Sequence, residues 1–122
     1  MFCAKRGQIL ITAGDTGIAG FEPMEGGYVP KTNDRAVFTV RDKIGGRKRI
    51  EKVIQPDENG IVRVPFMPED TKNLRLREYV WDIRYLLDVQ EDEKGNVTAY
   101  RESITPLEPA FLLILPAIGE NE

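Results

Sequence analysis

PEDTKNLRLREYVWDIRY, residues 68–85, decides the fold. Tyr79, Trp81, Ile83 and Tyr85 recur every second residue, and Val80, Asp82, Arg84 and Leu86 fill the alternate positions. Side chains of a strand point to opposite faces with period two, so the large aromatic set shares one face and belongs in a core. Asp82 is then no contradiction beside the only tryptophan. It points the other way, with Arg84 on its own face, as a surface ion pair or a turn hydrogen bond worth about 0–1 kcal/mol. The lead-in PEDTKNL reads as one short helical turn capped by Asp70 or Thr71, with Leu74 tucked beneath the sheet. Such a turn carries a chain from one sheet to another. Tyr79 is the candidate corner tyrosine, its hydroxyl returning to main chain near residues 70–74.

Outward from this stretch the chain reads as short strands between Gly, Pro, Asn and Asp punctuation. QILIT (8–12) is the first, followed by a Gly14-Asp15-Thr16-Gly17 turn and a weak strand at 18–22. Residues 23–34 form a loop. In 36–42, Ala36, Phe38 and Val40 oppose Val37, Thr39 and Arg41. RKRIEKVI (47–54) reads as a partly exposed strand. Asp57-Glu58-Asn59-Gly60 reads as a hairpin turn returning IVRVPF (61–66) against it, with Pro65 at an edge or strand end. A strand over 79–87, a polar loop (89–95), a strand over 96–104 and a final buried strand over 109–115 complete the pattern. The prediction is an all-β, immunoglobulin-like antiparallel sandwich of about seven to eight strands. One domain is expected over residues 1–122, with its core in 8–115 and a flexible tail at 116–122.

The chain has 122 residues, 41% hydrophobic and 30% charged, with a net charge of −3. That composition is globular, and the acidic balance argues against nucleic acid as the main partner. Arg47-Lys48-Arg49 reads as the solvated end of a strand. Cys3 is the only cysteine, so no internal disulfide forms. Near the terminus, in a chain with no histidine, it is not read as a reactive thiol. The N-terminal stretch lacks the apolar core of a signal peptide. FLLILPAI (111–118) is too short to span a membrane.

No catalytic, cofactor-binding or metal-ligating residue is expected. The common general base is missing with histidine. The acidic groups Asp57-Glu58, Glu69-Asp70 and Glu91-Asp92-Glu93 all fall in turns, where carboxylates solvate and cap. DENG (57–60) lacks the remainder of a calcium loop. One cysteine cannot build a zinc site. Gly14-Asp15-Thr16-Gly17 has neither the lysine nor the helix of a phosphate-binding loop.

YVPKTNDRAVFTVR (28–41), the Asn59-Gly60 turn, PEDTKNL before EYVWDIRY, a polar hairpin and an ESI strand follow in that order. This arrangement resembles the N-terminal immunoglobulin-like domain of phage baseplate upper proteins and related prophage tail proteins. Gly14-Asp15-Thr16, Phe38-Thr39-Val40, Pro68-Glu69-Asp70-Thr71 and Tyr79–Ile83 stand where that family has its motifs, and the resemblance covers roughly residues 8–115. Arg77 departs from the glycine usual two residues before the tyrosine. Family members continue into a C-terminal region with a receptor-binding part, whereas this sequence runs to Glu122. The resemblance implies a non-enzymatic virion component made in the host cytoplasm. Its partners would be other tail or baseplate proteins or copies of itself, with neither nucleic acid nor membrane. The Arg47–Phe66 segment is the expected docking edge. The alternative expectation is a carbohydrate-binding or adhesion module of a bacterial surface protein, using Tyr28 and Tyr100.

Overall fold

The structure, a computed structural model, describes residues 1–5, 7–23, 26–105 and 110–116. The expected flexible tail therefore lies, Pro116 apart, outside the described residues. In chain order the elements are β1 (Phe2–Lys5), β2 (Gln8–Thr12), β3 (Gly17–Phe21), β4 (Arg35–Arg41), β5 (Lys48–Ile54), β6 (Val62–Phe66), α1 (Pro68–Thr71), β7 (Glu78–Leu87), β8 (Gln90–Glu91), β9 (Val97–Ala99), β10 (Glu102–Ile104) and β11 (Ala110–Leu115). The all-β sandwich stands, with more and shorter strands than the sequence reading expected.

The larger sheet runs β1-β2-β11-β7-β4-β5, and β10 pairs with the far end of β7 on the side that β11 occupies at the near end. A two-stranded sheet, β3-β6, covers one face of it, and β8-β9 is a separate small hairpin. The expected antiparallel pairing has one exception, since β11 runs parallel to β2 with Leu113 beside Leu10. The parallel pairing of β2 with β11 leaves no local signature in sequence, because about a hundred residues separate the two segments.

The core sits where period-two alternation put it. Tyr79, Trp81, Ile83, Tyr85 and Leu87 of β7 are buried with Phe38, Val40, Ile9, Ile11, Leu112 and Ile114 of the larger sheet and Ala19, Val62, Val64 and Phe66 of the smaller. Trp81 is 2% exposed and lies 5.2 Å from the Phe21 ring and 5.5 Å from that of Phe38. Phe38 meets Phe66 edge-to-face at 5.7 Å, which ties the two sheets together. The Trp81 indole N–H has no acceptor among the described residues.

Four expectations need correction. Residues 57–60 do turn sharply: Gly60 N–H donates to the Asp57 carbonyl at 3.0 Å, and the Asp57 side chain accepts from the Asn59 and Ile61 amides. The turn is no hairpin, however. It carries the chain across the sandwich, so β6 pairs with β3 and not with β5. Gly60, at φ +80°, is required there, because a Cβ would stand 2.6 Å from Val29. Second, residues 96–104 form two strands, as β9 binds β8 and β10 binds β7. Third, β1 was not expected; its Phe2 ring lies 5.6 Å from that of Phe66, in a space that only a glycine at position 17 leaves open. Fourth, the Asp82 side chain makes neither the ion pair nor the turn hydrogen bond among the described residues; it stands beside Thr39 of β4.

The corner forms nearly as expected. Asp70 accepts the Met67 amide at 2.7 Å and so closes the start of α1, while Thr71 serves elsewhere, accepting the Gly14 amide at 3.0 Å from a fully buried position. The β2–β3 turn is thereby fastened to the corner. The Tyr79 hydroxyl donates to the Arg75 carbonyl at 3.0 Å, next to the expected residues 70–74.

Candidate functional site

The corner also builds a cleft. Asp42 and Arg49 come from the β4–β5 end of the larger sheet, and Asn73, Leu74, Arg75 and Arg77 come from the segment between α1 and β7. Together with Tyr79 they line a polar hollow of about 450 Å³. A register shift beyond Val40, where Arg41 pairs with Lys48, leaves Arg49 as an extra residue and turns its side chain toward Asp42. Arg49 grips that carboxylate with two bonds, Nε to Oδ1 at 2.8 Å and Nη2 to Oδ2 at 3.0 Å. Arg77 adds a third, Nη2 to Oδ1 at 2.6 Å, while its guanidinium lies 5.0 Å from the centre of the Tyr79 ring. Hydrogen bonding from Arg49, and then from Arg77, holds the Asp42 carboxyl below the usual carboxylate range against partial desolvation. The same contact pushes Arg49 further up.

Backbone contacts fix the two later arginines in place. The Tyr79 hydroxyl holds the Arg75 carbonyl, and the Ile114 amide donates to the Arg77 carbonyl at 3.1 Å. Arg75 has no side-chain hydrogen bond or ion pair among the described residues. The sequence places Arg49 in a solvated strand end and marks Arg77 only as a departure from the resembled family's glycine, and it gives no sign that either meets Asp42. The legible signal was the Arg-Leu-Arg run just before the corner tyrosine.

A second surface lies on the outer face of the larger sheet, away from the small one. Phe111 pairs with Val80 and Leu113 with Leu10, so apolar side chains from β7, β11 and β2 form a stripe across three strands. Phe111 is 48% exposed. Ile44, 76% exposed at the β4–β5 turn, overhangs Val80 and Asp82 across a hollow of about 90 Å³. The expected docking edge is only half present: β5 is an edge strand, guarded by Lys48, Glu51 and Lys52, but β6 belongs to the other sheet.

The acidic groups sit apart, Asp57 in the turn after β5, Asp70 in α1 and Glu91 in β8. Asp57 pairs with Arg63 at 2.7 Å, Asp70 with Lys52 at 2.8 Å, and Glu91 with Arg35 at 2.6 Å. Asp92 accepts the Lys94 and Asn96 amides within its own turn. Among the described residues no group of three or more Cys, Asp or Glu side chains could hold a metal ion. Among the described residues no helix is long and apolar enough to cross a membrane.

Tyr28 is not a free loop aromatic. Its hydroxyl donates to Asp34 at 2.6 Å, and its pKa is pushed up to about 12 by burial and then by that bond. Asp34, fully buried, also accepts the Lys31 amide at 2.8 Å and the Asp88 amide at 2.9 Å, binding the 28–34 loop to the end of β7. Of the two aromatics a glycan site would use, only Tyr100 stands exposed.

No family model and no curated protein matches the chain. Among solved structures, a Bacteroides vulgatus protein described as a glycoside hydrolase is similar over 92% of this chain and 17% of its own length, at 15% identity and a TM-score of 0.49. A likeness of that degree carries no argument about activity.

Proposed function

We propose that this chain is a non-enzymatic structural module of a phage or prophage virion, built into the tail or baseplate and working by docking against other proteins. The order of motifs from Gly14-Asp15-Thr16 to Tyr79–Ile83 suggests the virion. The observation that carries the docking is the outer stripe of Leu10, Val80, Phe111 and Leu113, in which Phe111 is exposed and the other three are half-buried among the described residues, on a sheet whose other face is buried. A sheet with one dry face and an apolar stripe on the other offers a ready interface, because covering such a stripe is favourable at about 25 cal/mol per Å². The charges along β5 direct association to the face and away from strand addition at the edge.

The test is compositional. Particles released from a strain that carries the gene are purified and their proteins identified, and the tagged chain is used to recover tail proteins from the same lysate. The chain is expected in the particles, and tail or baseplate proteins are expected on the tag. Phe111→Asp should abolish that recovery while leaving the fold intact. Particles lacking the chain, or a recovered set without tail proteins, overturn the proposal.

A further inference from the structure

We propose that the arginine cleft at the tyrosine corner is a docking site for an acidic segment of a partner protein, taking a carboxylate between Arg75 and Arg77. This deepens the docking reading above and rests on it. Three arginines and one carboxylate line the cleft, which leaves it with two positive charges in excess on a chain whose net charge is −3. Its chemistry is already on display, since Asp42 lies in the two-bond fork of Arg49 and shares an oxygen with Arg77. Planar guanidinium forks match planar carboxylates, and each such bond is stronger than a neutral one.

Preorganisation separates this cleft from a patch of loose surface arginines. Arg77 is held by Asp42, by the Tyr79 ring and, through its carbonyl, by the Ile114 amide. The Arg75 backbone is clamped by the Tyr79 hydroxyl while its guanidinium has no partner among the described residues. An incoming acid therefore meets a cation whose main chain is already fixed, which lowers the ordering cost of binding. At about 450 Å³ the hollow is larger than one carboxylate needs and accommodates adjacent acidic side chains of a peptide. Arg77, standing where the resembled family has glycine, is one of the two arginines that make the site.

The experiment titrates the isolated chain with a synthetic six-glutamate peptide at low salt and follows backbone amide and arginine Nε–H signals by NMR. A six-glutamine peptide and inorganic phosphate serve as parallel arms. Shifts should concentrate at Arg75, Arg77 and Tyr79, and affinity should fall with added salt. Arg75→Glu touches no ion pair of the fold and should weaken glutamate-peptide binding at least about tenfold, and Arg75→Lys by less. Equal binding of both peptides, tighter binding of phosphate than of the glutamate peptide, or unchanged binding by Arg75→Glu overturns the inference. A chain that is present in tails yet ignores the peptide removes only the cleft assignment. A chain that binds the peptide and is absent from tails removes the virion reading and leaves the cleft.

Discussion

Asp34→Asn tests how the 28–34 loop is held. The Asp34 carboxylate is fully buried and accepts three hydrogen bonds: Tyr28 Oη at 2.6 Å and Lys31 N at 2.8 Å on one oxygen, and Asp88 N at 2.9 Å on the other. An amide has one oxygen. Oriented to keep the first two bonds, it turns its NH₂ on the Asp88 amide, and a buried donor left facing a donor costs about 1–3 kcal/mol. The retained bonds also lose their charge assistance, worth roughly 1 kcal/mol more. The expected destabilisation is about 3 kcal/mol. At about 2.1 cal/mol/K per residue, a chain of 122 residues has an unfolding entropy near 0.26 kcal/mol/K, so Tm should fall by about 12 °C. Trp81, the single and buried tryptophan, reports unfolding by fluorescence in urea, where the midpoint should move with an unchanged slope. Asp92→Asn is the control, because Asp92 accepts its amide bonds within an exposed turn, and its shift should be much smaller. If Asp34→Asn moved the midpoint no further than Asp92→Asn, the carboxylate would not be the tie described.

Gly60→Ala should cost about 2 kcal/mol or more, read from the urea midpoint, because φ is +80° and the new methyl lies 2.6 Å from Val29. Thr71→Val leaves the Gly14 amide without its acceptor and should cost about 1–2 kcal/mol, with faster hydrogen exchange at Gly14. Alkaline stability should depend on Tyr28. The folded chain keeps the phenol proton up to about 12, while the unfolded chain loses it near 10.0. The resulting stabilisation is complete below pH 10 and disappears as pH rises to 12. Tyr28→Phe should flatten that step in a stability-versus-pH curve.

Alternation along residues 78–87 was enough to place Trp81 and its neighbours, because burial on one face of a strand is a local property of the pattern. Pairing is not local. The alternation of residues 61–66 names the face that turns inward but not the strand alongside, and a tight turn before them looked like a hairpin although the chain was changing sheets. Residues 96–104 hid a break for a related reason: β7 offers room for β10 only beyond the end of β11, and β9 turns to β8 instead. The cleft escaped because its arginines come from two distant segments, and Arg49 faces Asp42 only through a local irregularity of the β4–β5 ladder. The tyrosine corner was legible because its parts lie within a dozen residues of one another.

The place of β11 has a kinetic consequence. It lies between β2 and β7, so the larger sheet stays in two unjoined pieces until residues 110–115 arrive. During synthesis both flanking strands keep bare ladders, each able to capture a stray strand. Closing the gap joins segments about a hundred residues apart, a step whose loop entropy slows refolding. The rate-limiting event should therefore be insertion of this strand, and a circular permutant that places it directly before β2 should refold faster without gaining stability.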